Sequence, residues 1–175
     1  MLNLLYRRRI IRKYKTTKLD SDTVQRLIKA ALLSPSSRGF QPWQFVVVDD
    51  IEVLSLLASS KKGAGFLKDA ALGIVILADP TKSDVWVEDA SIAATILHLT
   101  AESLGLGSCW IQIRERQATE TETAEQYVQR ILAIPENLKV ISIISIGYPD
   151  ESKPHHVDGD LGFDKVHRNK YGAKY

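Results

Sequence analysis

Helical and strand-like runs alternate along this 175-residue chain, and the alternation predicts a single domain that mixes α and β elements. Three observations carry that prediction. Four short apolar runs rich in Val and Ile, at residues 45–48, 72–78, 108–113 and 140–146, have strand length. Between them lie segments with the apolar spacing of helices, such as Val24, Leu27, Ile28, Ala31 and Leu32. At 45% hydrophobic residues, the chain is long enough to bury one sizeable core.

Taken in order, Leu4 and Leu5 belong to a short first helix that ends in an arginine run. Asp20, Ser21 and Asp22 open a second helix, because their acidic groups suit the positive end of its dipole. Pro35 stops that helix near Leu33. Residues 45–48 show no alternation and read as a fully buried strand. Residues 51–58 form a third helix, and 61–65 a mobile connector. Residues 72–78 are another buried strand, closed by Asp79 and Pro80.

The longest helical pattern runs from Asp84 to Leu104, with Ala90, Ser91, Ala93 and Ala94 among larger apolar residues. Small side chains permit close approach, so this helix is central or interfacial. Gly105 and Gly107 end it, and a strand follows. Residues 121–132 form an outer helix. Residues 150–175 are polar and aperiodic, either a disordered tail or an arm that wraps something.

Bulk properties exclude several classes. A net charge of +2 is too small for a general polyanion binder. The lone Cys109 excludes an internal disulfide and a Cys-rich zinc site, and adjacent His155 and His156 are a poor metal geometry, so no metal is expected. The arginines follow the amino-terminal apolar residues, the reverse of a secretory signal, and no run is long enough to cross a bilayer. A soluble, cytoplasmic protein is expected. No Gly-x-Gly-x-x-Gly opens a helix after the first strand, which argues against a Rossmann dinucleotide site.

The residues from Ser34 to Trp43 stand out as a loop with two prolines, a glycine, two adjacent serines and a glutamine. It suits a polar, uncharged ligand edge, although such loops also serve as plain connectors. Read with Arg8, Arg9, Ile10, Ile11, Arg12, Lys13 and Tyr14, it resembles the FMN-dependent nitroreductase family. Trp86 to Ala94, Gly105 to Ile111, Leu132 to Glu136 and Ile146 to Pro149 are similar to that family's later landmarks. The similarity runs in order from about Arg7 to Pro149, and the ordered set is more specific than any one motif.

The resemblance implies a three-layer α+β fold with a mostly antiparallel central sheet. It also implies an intertwined homodimer holding FMN between subunits, with NADH or NADPH as electron donor and a small acceptor: a nitroaromatic, a quinone or a flavin. Arg8 and Arg9 match the positions that hold the flavin phosphate and ribityl chain, with Ile10 contributing backbone. Arg12 matches the position at the pyrimidine edge, where a cation favours the negative charge that reduction brings.

Pro35, Ser36, Ser37 and Gln41 are expected from the other subunit, with Arg38 and Phe40 shaping an entrance. Cys109, Trp110, Ile111 and Gln112 match the strand whose backbone runs beside flavin N5. Lys165, His167 and Arg168 are candidates to complete the phosphate cluster, with a solvated tail as the alternative. Three departures thin the pattern: Ile10 stands where serine is frequent, Gly39 where asparagine is usual, and Gly63 where longer members carry an asparagine that touches the flavin, with no lysine following at the matching spacing. His98 reads as a core histidine, and Glu88 and Asp89 as helix or interface contacts. The rival readings are a specialised branch for reductive dehalogenation or flavin breakdown, a non-catalytic flavin carrier, and a nucleic-acid binder led by the basic arm.

Overall fold

The computed structural model of the chain describes all 175 residues. In order, the elements are α1 (Leu2–Arg7), α2 (Ser21–Leu32), β1 (Trp43–Val48), α3 (Ile51–Leu57), β2 (Leu72–Ala78), α4 (Trp86–Ser103), β3 (Gly107–Gln112), α5 (Ala124–Leu132) and β4 (Lys139–Gly147). The four strands make one sheet in the order β1-β2-β4-β3, and every neighbouring pair is antiparallel.

Because successive side chains in a strand point to opposite faces, β2 and β4 feed two cores. Val75, Leu77 and Ile143 pack with Leu54, Leu57 and Val128 under α3 and α5. Ile74, Ile76 and Ile144 pack with Leu27, Ala94 and Leu97 under α2 and α4. Each fully buried branched side chain contributes about 1.5–3 kcal/mol of transfer free energy, so the central strands dominate stability. The expected three-layer α+β architecture is the one formed.

Local chemistry sets the boundaries. Asp20 caps α2 by accepting the Thr23 N–H at 2.8 Å, and Asp50 caps α3 by accepting the Glu52 N–H at 2.8 Å. Helix α5 begins later than expected because Thr123 and Gln126 exchange side-chain and backbone hydrogen bonds in a capping box. Strand β1 departs from expectation in burial. It is an edge strand whose Phe45, Val46 and Val47 are only half-buried and whose Gln44 is exposed, whereas β2 is buried throughout. An unbroken apolar run does not distinguish these two cases. The expected connector at 61–65 is anchored by buried Ser60 and Ala64 and leads into a 3-10 helix, Gly65–Asp69.

After α1 the chain runs extended across the ends of β3 and β4. Ile10 bridges Ser108, the Ile11 N–H donates to the Ser108 carbonyl at 3.1 Å, and Tyr14 bridges Pro149. Gly107 makes this crossing possible, because a Cβ there would lie 2.7 Å from the Ile11 side chain. The buried Tyr14 hydroxyl donates to the Ile11 carbonyl at 2.7 Å and lies 2.8 Å from Ser145 Oγ, locking the segment down. Beyond β4 the chain returns to α1. The His156 N–H donates to the Tyr6 carbonyl, and the Tyr6 hydroxyl to Asp158. The remainder turns back on itself, His167 bridging Lys174, and leaves Phe163 64% and Tyr171 91% exposed.

Candidate functional site

The extended segment after α1 sorts its side chains by alternation. Arg9 donates to the Pro154 carbonyl and is thereby committed to its own chain. Arg8 is half-buried, makes no hydrogen bond or ion pair within the chain, and sits close enough to His98 to depress its basicity. Arg12 lies with its guanidinium 5.7 Å from the centre of the Phe66 ring and beside the Cys109 thiol. Arg8 and Arg12 are thus the two arginines of the motif left for an external anion.

Beside them runs the outer edge of the sheet. The Ile113 N–H bonds inward to the Ile141 carbonyl of β4, whereas the Ser108 carbonyl bonds outward to Ile11. In an antiparallel ladder these directions alternate residue by residue. The backbone of Cys109 and Ile111 therefore faces β4, and that of Trp110 and Gln112 faces away from the sheet. Of the four residues expected beside a flavin N5, these two present free amides.

The opposite face of β3 is a linked row. His98 Nδ1 is 2.7 Å from Ser108 Oγ, and its ring lies parallel to Trp110 with centroids 6.5 Å apart. Trp110 Nε1 donates to Gln112 Oε1 at 2.8 Å, and Gln112 Nε2 to the Arg114 carbonyl at 2.9 Å. These bonds fix the strand whose amides are exposed. Burial, aided by the Arg8 charge, brings the His98 pKa down to about 4, so the imidazole is neutral at pH 7. Burial pushes the Cys109 thiol up, against the pull of Arg12, Lys153 and Lys61, and the sulfur stays protonated.

The Ser-Ser loop lies elsewhere. It leaves α2 and enters β1, the edge strand remote from β3. Asp89, only 2% exposed, anchors it: one oxygen accepts the Ser37 N–H at 2.7 Å and the other the Ser83 hydroxyl at 2.8 Å. Ser36 Oγ accepts the Gln41 N–H at 2.9 Å, holding a turn in which Arg38 and Gln41 both have positive φ. Such φ values cost about 1 kcal/mol or more each for non-glycine residues, and the Asp89 anchor offsets that cost. Pro35 and Gln41 are exposed. Arg38 lies over the Phe40 ring and pairs with Asp84 at 3.2 Å.

The arginine segment and the loop do not converge within one chain. They stand at opposite edges of a four-stranded sheet, about 14 Å apart at the usual strand spacing. They are also displaced along α4. Asp89 holds the loop while Glu102 pairs with Arg7 at 3.4 Å, and a rise of 1.5 Å per residue separates those two by about 20 Å. Lys165, His167 and Arg168 are exposed and make no bond to the amino-terminal arginines within the chain.

Three residues not expected at the site enter it. Lys153 donates to the Ile10 carbonyl and, with Lys61, lies near Cys109. The adjacent pair Lys61 and Lys62 before Gly63 was the available signal for the second of these. Asp89 had none as a loop anchor, because its partner Ser37 is far away in sequence. The residues present fit a flat anionic cofactor: a half-buried guanidinium without a partner needs a counter-charge, and Trp110 and Gln112 offer hydrogen-bond donors along one line.

Comparisons with known proteins agree with this fold. Residues 5–61 and 51–148 match the nitroreductase family. A solved FMN-dependent nitroreductase of Clostridium difficile R20291 is 48% identical, with a TM-score of 0.96 over 98% of this chain and 100% of that one. A curated relative from Archaeoglobus fulgidus, provisionally named an NADH dehydrogenase/NAD(P)H nitroreductase, is 36% identical across 97% of this chain and 98% of its own. The NADPH-flavin oxidoreductase of Vibrio harveyi is 28% identical across 93% of this chain and 71% of its own. With its fold, its ordered motifs and these likenesses in agreement, the chain belongs to the nitroreductase family of oxidoreductases.

Proposed function

We propose that this protein is a homodimeric, FMN-dependent NAD(P)H oxidoreductase that passes reducing equivalents to a small acceptor by a ping-pong sequence. The observation that carries the reading is the unpaired, half-buried Arg8 beside the free amide edge of β3. Bound FMN supplies hydride acceptance and donation at N5, so no side chain need act as a nucleophile. Arg8 binds the phosphate, and the Ile10 backbone borders it. Arg12 and Lys61 supply positive charge at the pyrimidine edge. The Gln112 or Trp110 N–H donates to N5 and leaves the outer ring face open.

Pro35, Ser36, Ser37 and Gln41 come from a second copy of the chain, because within one copy they stand away from β3. Arg38 and Phe40 of that loop flank the entrance. The arm at 150–175 reaches across the second copy, where its exposed Phe163 and Tyr171 find cover. Lys165, His167 and Arg168 then meet the phosphate of the opposite site. The family match runs from residue 5 to 148, which supports a single domain followed by this arm.

The test is anaerobic titration of FMN-loaded protein with NADH and with NADPH, followed by steady-state kinetics against nitroaromatic, quinone and flavin acceptors. Bleaching at one donor equivalent per flavin and parallel double-reciprocal lines are expected. Yellow protein that neither donor bleaches would make it a carrier instead.

A further inference from the structure

A second basic site lies next to the first, in a cleft of about 360 Å³ between the segment at 12–18 and the Gly65–Asp69 helix. Lys13, Lys15 and Lys18 line it from one side, Lys68 from the other, and Arg12 closes the end nearest Phe66. None of these five cations lies within 4.0 Å of a carboxylate, although Asp49, Asp69 and Asp150 line the same cleft. The backbone that carries the lysines is not loose. The Lys15 N–H donates to the Tyr148 carbonyl at 2.9 Å, the Asp150 N–H to the Lys13 carbonyl at 2.9 Å, and buried Tyr14 anchors the residue between.

We infer that this cleft binds the 2′-phosphorylated ribose of NADPH and so sets the choice of electron donor. The inference rests on the proposed use of NAD(P)H and adds the chemistry that separates the two donors. A phosphomonoester carries about −1.5 to −2 charge near neutral pH, and lysine binds such a group as a point charge without demanding one fixed geometry. Four ammonium groups without carboxylate partners suit a dianion. The interspersed carboxylates disfavour a plain polyanion and accept hydrogen bonds from ribose hydroxyls. The hydroxyls of Thr16 and Thr17, which also line the cleft, make no hydrogen bond within the chain and add neutral donors. Nucleic acid is the poorer fit, because three carboxylates interrupt what would have to be a continuous positive track. Arg12 joins the cleft to the flavin site: it lines the one and places its guanidinium beside Cys109 in the other.

The test titrates the purified protein calorimetrically with 2′,5′-ADP, 5′-AMP and inorganic phosphate, a measurement that needs no turnover. Binding of 2′,5′-ADP at one per protomer is expected, roughly tenfold or more tighter than 5′-AMP or phosphate, in line with a single charge-assisted contact. It should weaken with salt, because the lysines are solvated. In the triple variant Lys15→Ala, Lys18→Ala, Lys68→Ala that preference should vanish, and the NADPH-to-NADH ratio of kcat/KM should fall about tenfold. Equal binding of 2′,5′-ADP and 5′-AMP overturns the inference. So does phosphate binding as tightly as 2′,5′-ADP, or a triple variant that keeps both the preference and the ratio. Loss of the proposed redox activity reads differently, as failure of either donor to reduce the flavin while the titration still decides what the cleft holds.

Discussion

The two ends of α4 hold two different kinds of site fragment. At its first turn, buried Asp89 ties down a Ser-Ser loop whose backbone is bent into left-handed conformations and whose one cation, Arg38, is paired with Asp84. Towards its last turns, His98 and Glu102 face a segment of arginines that is extended and cationic. One end offers hydrogen bonds and shape, the other charge. A helix that keeps such complementary halves some 20 Å apart separates them within a protomer, and a second copy, on the proposed reading, brings unlike halves together. The largest test of that contrast is complementation. One chain carries Arg8→Ala and Arg12→Ala, the other Ser36→Ala and Gln41→Ala, and the two are co-expressed and purified as a mixed dimer. One site then combines both defects and the other has none, so half of the wild-type FMN content should be retained at full affinity. Two damaged sites and none at full affinity in absorbance titration would mean that each site is built within one chain.

The loop end should show the larger loss of stability. Asp89→Ala leaves the Ser37 N–H and Ser83 hydroxyl without their acceptor, and two such losses in a buried setting cost about 2–4 kcal/mol. Urea unfolding would measure this, with Asp89→Asn expected to restore part of it. If Asp89→Ala unfolds at the wild-type midpoint, the loop is held by something other than α4.

At the arm end the effect should appear in ligand affinity. Arg8→Ala should raise the FMN dissociation constant roughly tenfold to a hundredfold, the equivalent of a charge-assisted contact of about 1.5–3 kcal/mol. Arg9→Ala should change it less than about threefold, because that guanidinium already serves the Pro154 carbonyl. Equal losses from the two variants would show that alternation along the segment does not sort their roles.

Much of this was legible in the sequence. The strands β2 and β4 announce themselves because runs such as Leu72–Ala78 have no rival explanation at that length. The caps at Asp20 and Asp50 are equally local. Chemistry that depends on partners distant in the chain was not readable. Nothing near Arg9 says that Pro154 will claim it, and nothing near Phe45 says that β1 lies at an edge. The motif at 8–14 marked where the candidate site lies, but only an extended backbone against Gly107 separates Arg8 and Arg12 from their neighbour. The cleft beside Lys68 is not legible in the sequence for the same reason, since its walls come from four separate stretches of the chain.

The smallest expected effect concerns pH and distinguishes the two ends by titration. His98 folds with its pKa lowered from 6.5 to about 4, because the charged ring would be buried beside Arg8. Between those values the unfolded chain binds the proton and the folded one does not, so stability falls as pH falls from about 6.5 towards 4. At pH 7 both states are neutral and the residue contributes nothing to this dependence. By linkage the loss at pH 5.5 is about 1.4 kcal/mol. His98→Gln keeps a hydrogen-bonding group within reach of Ser108 and cannot titrate, so its unfolding free energy should decline less between pH 7 and 5.5 by that amount. Parallel pH curves for the variant and the wild type would mean that the imidazole takes up its proton in the folded protein.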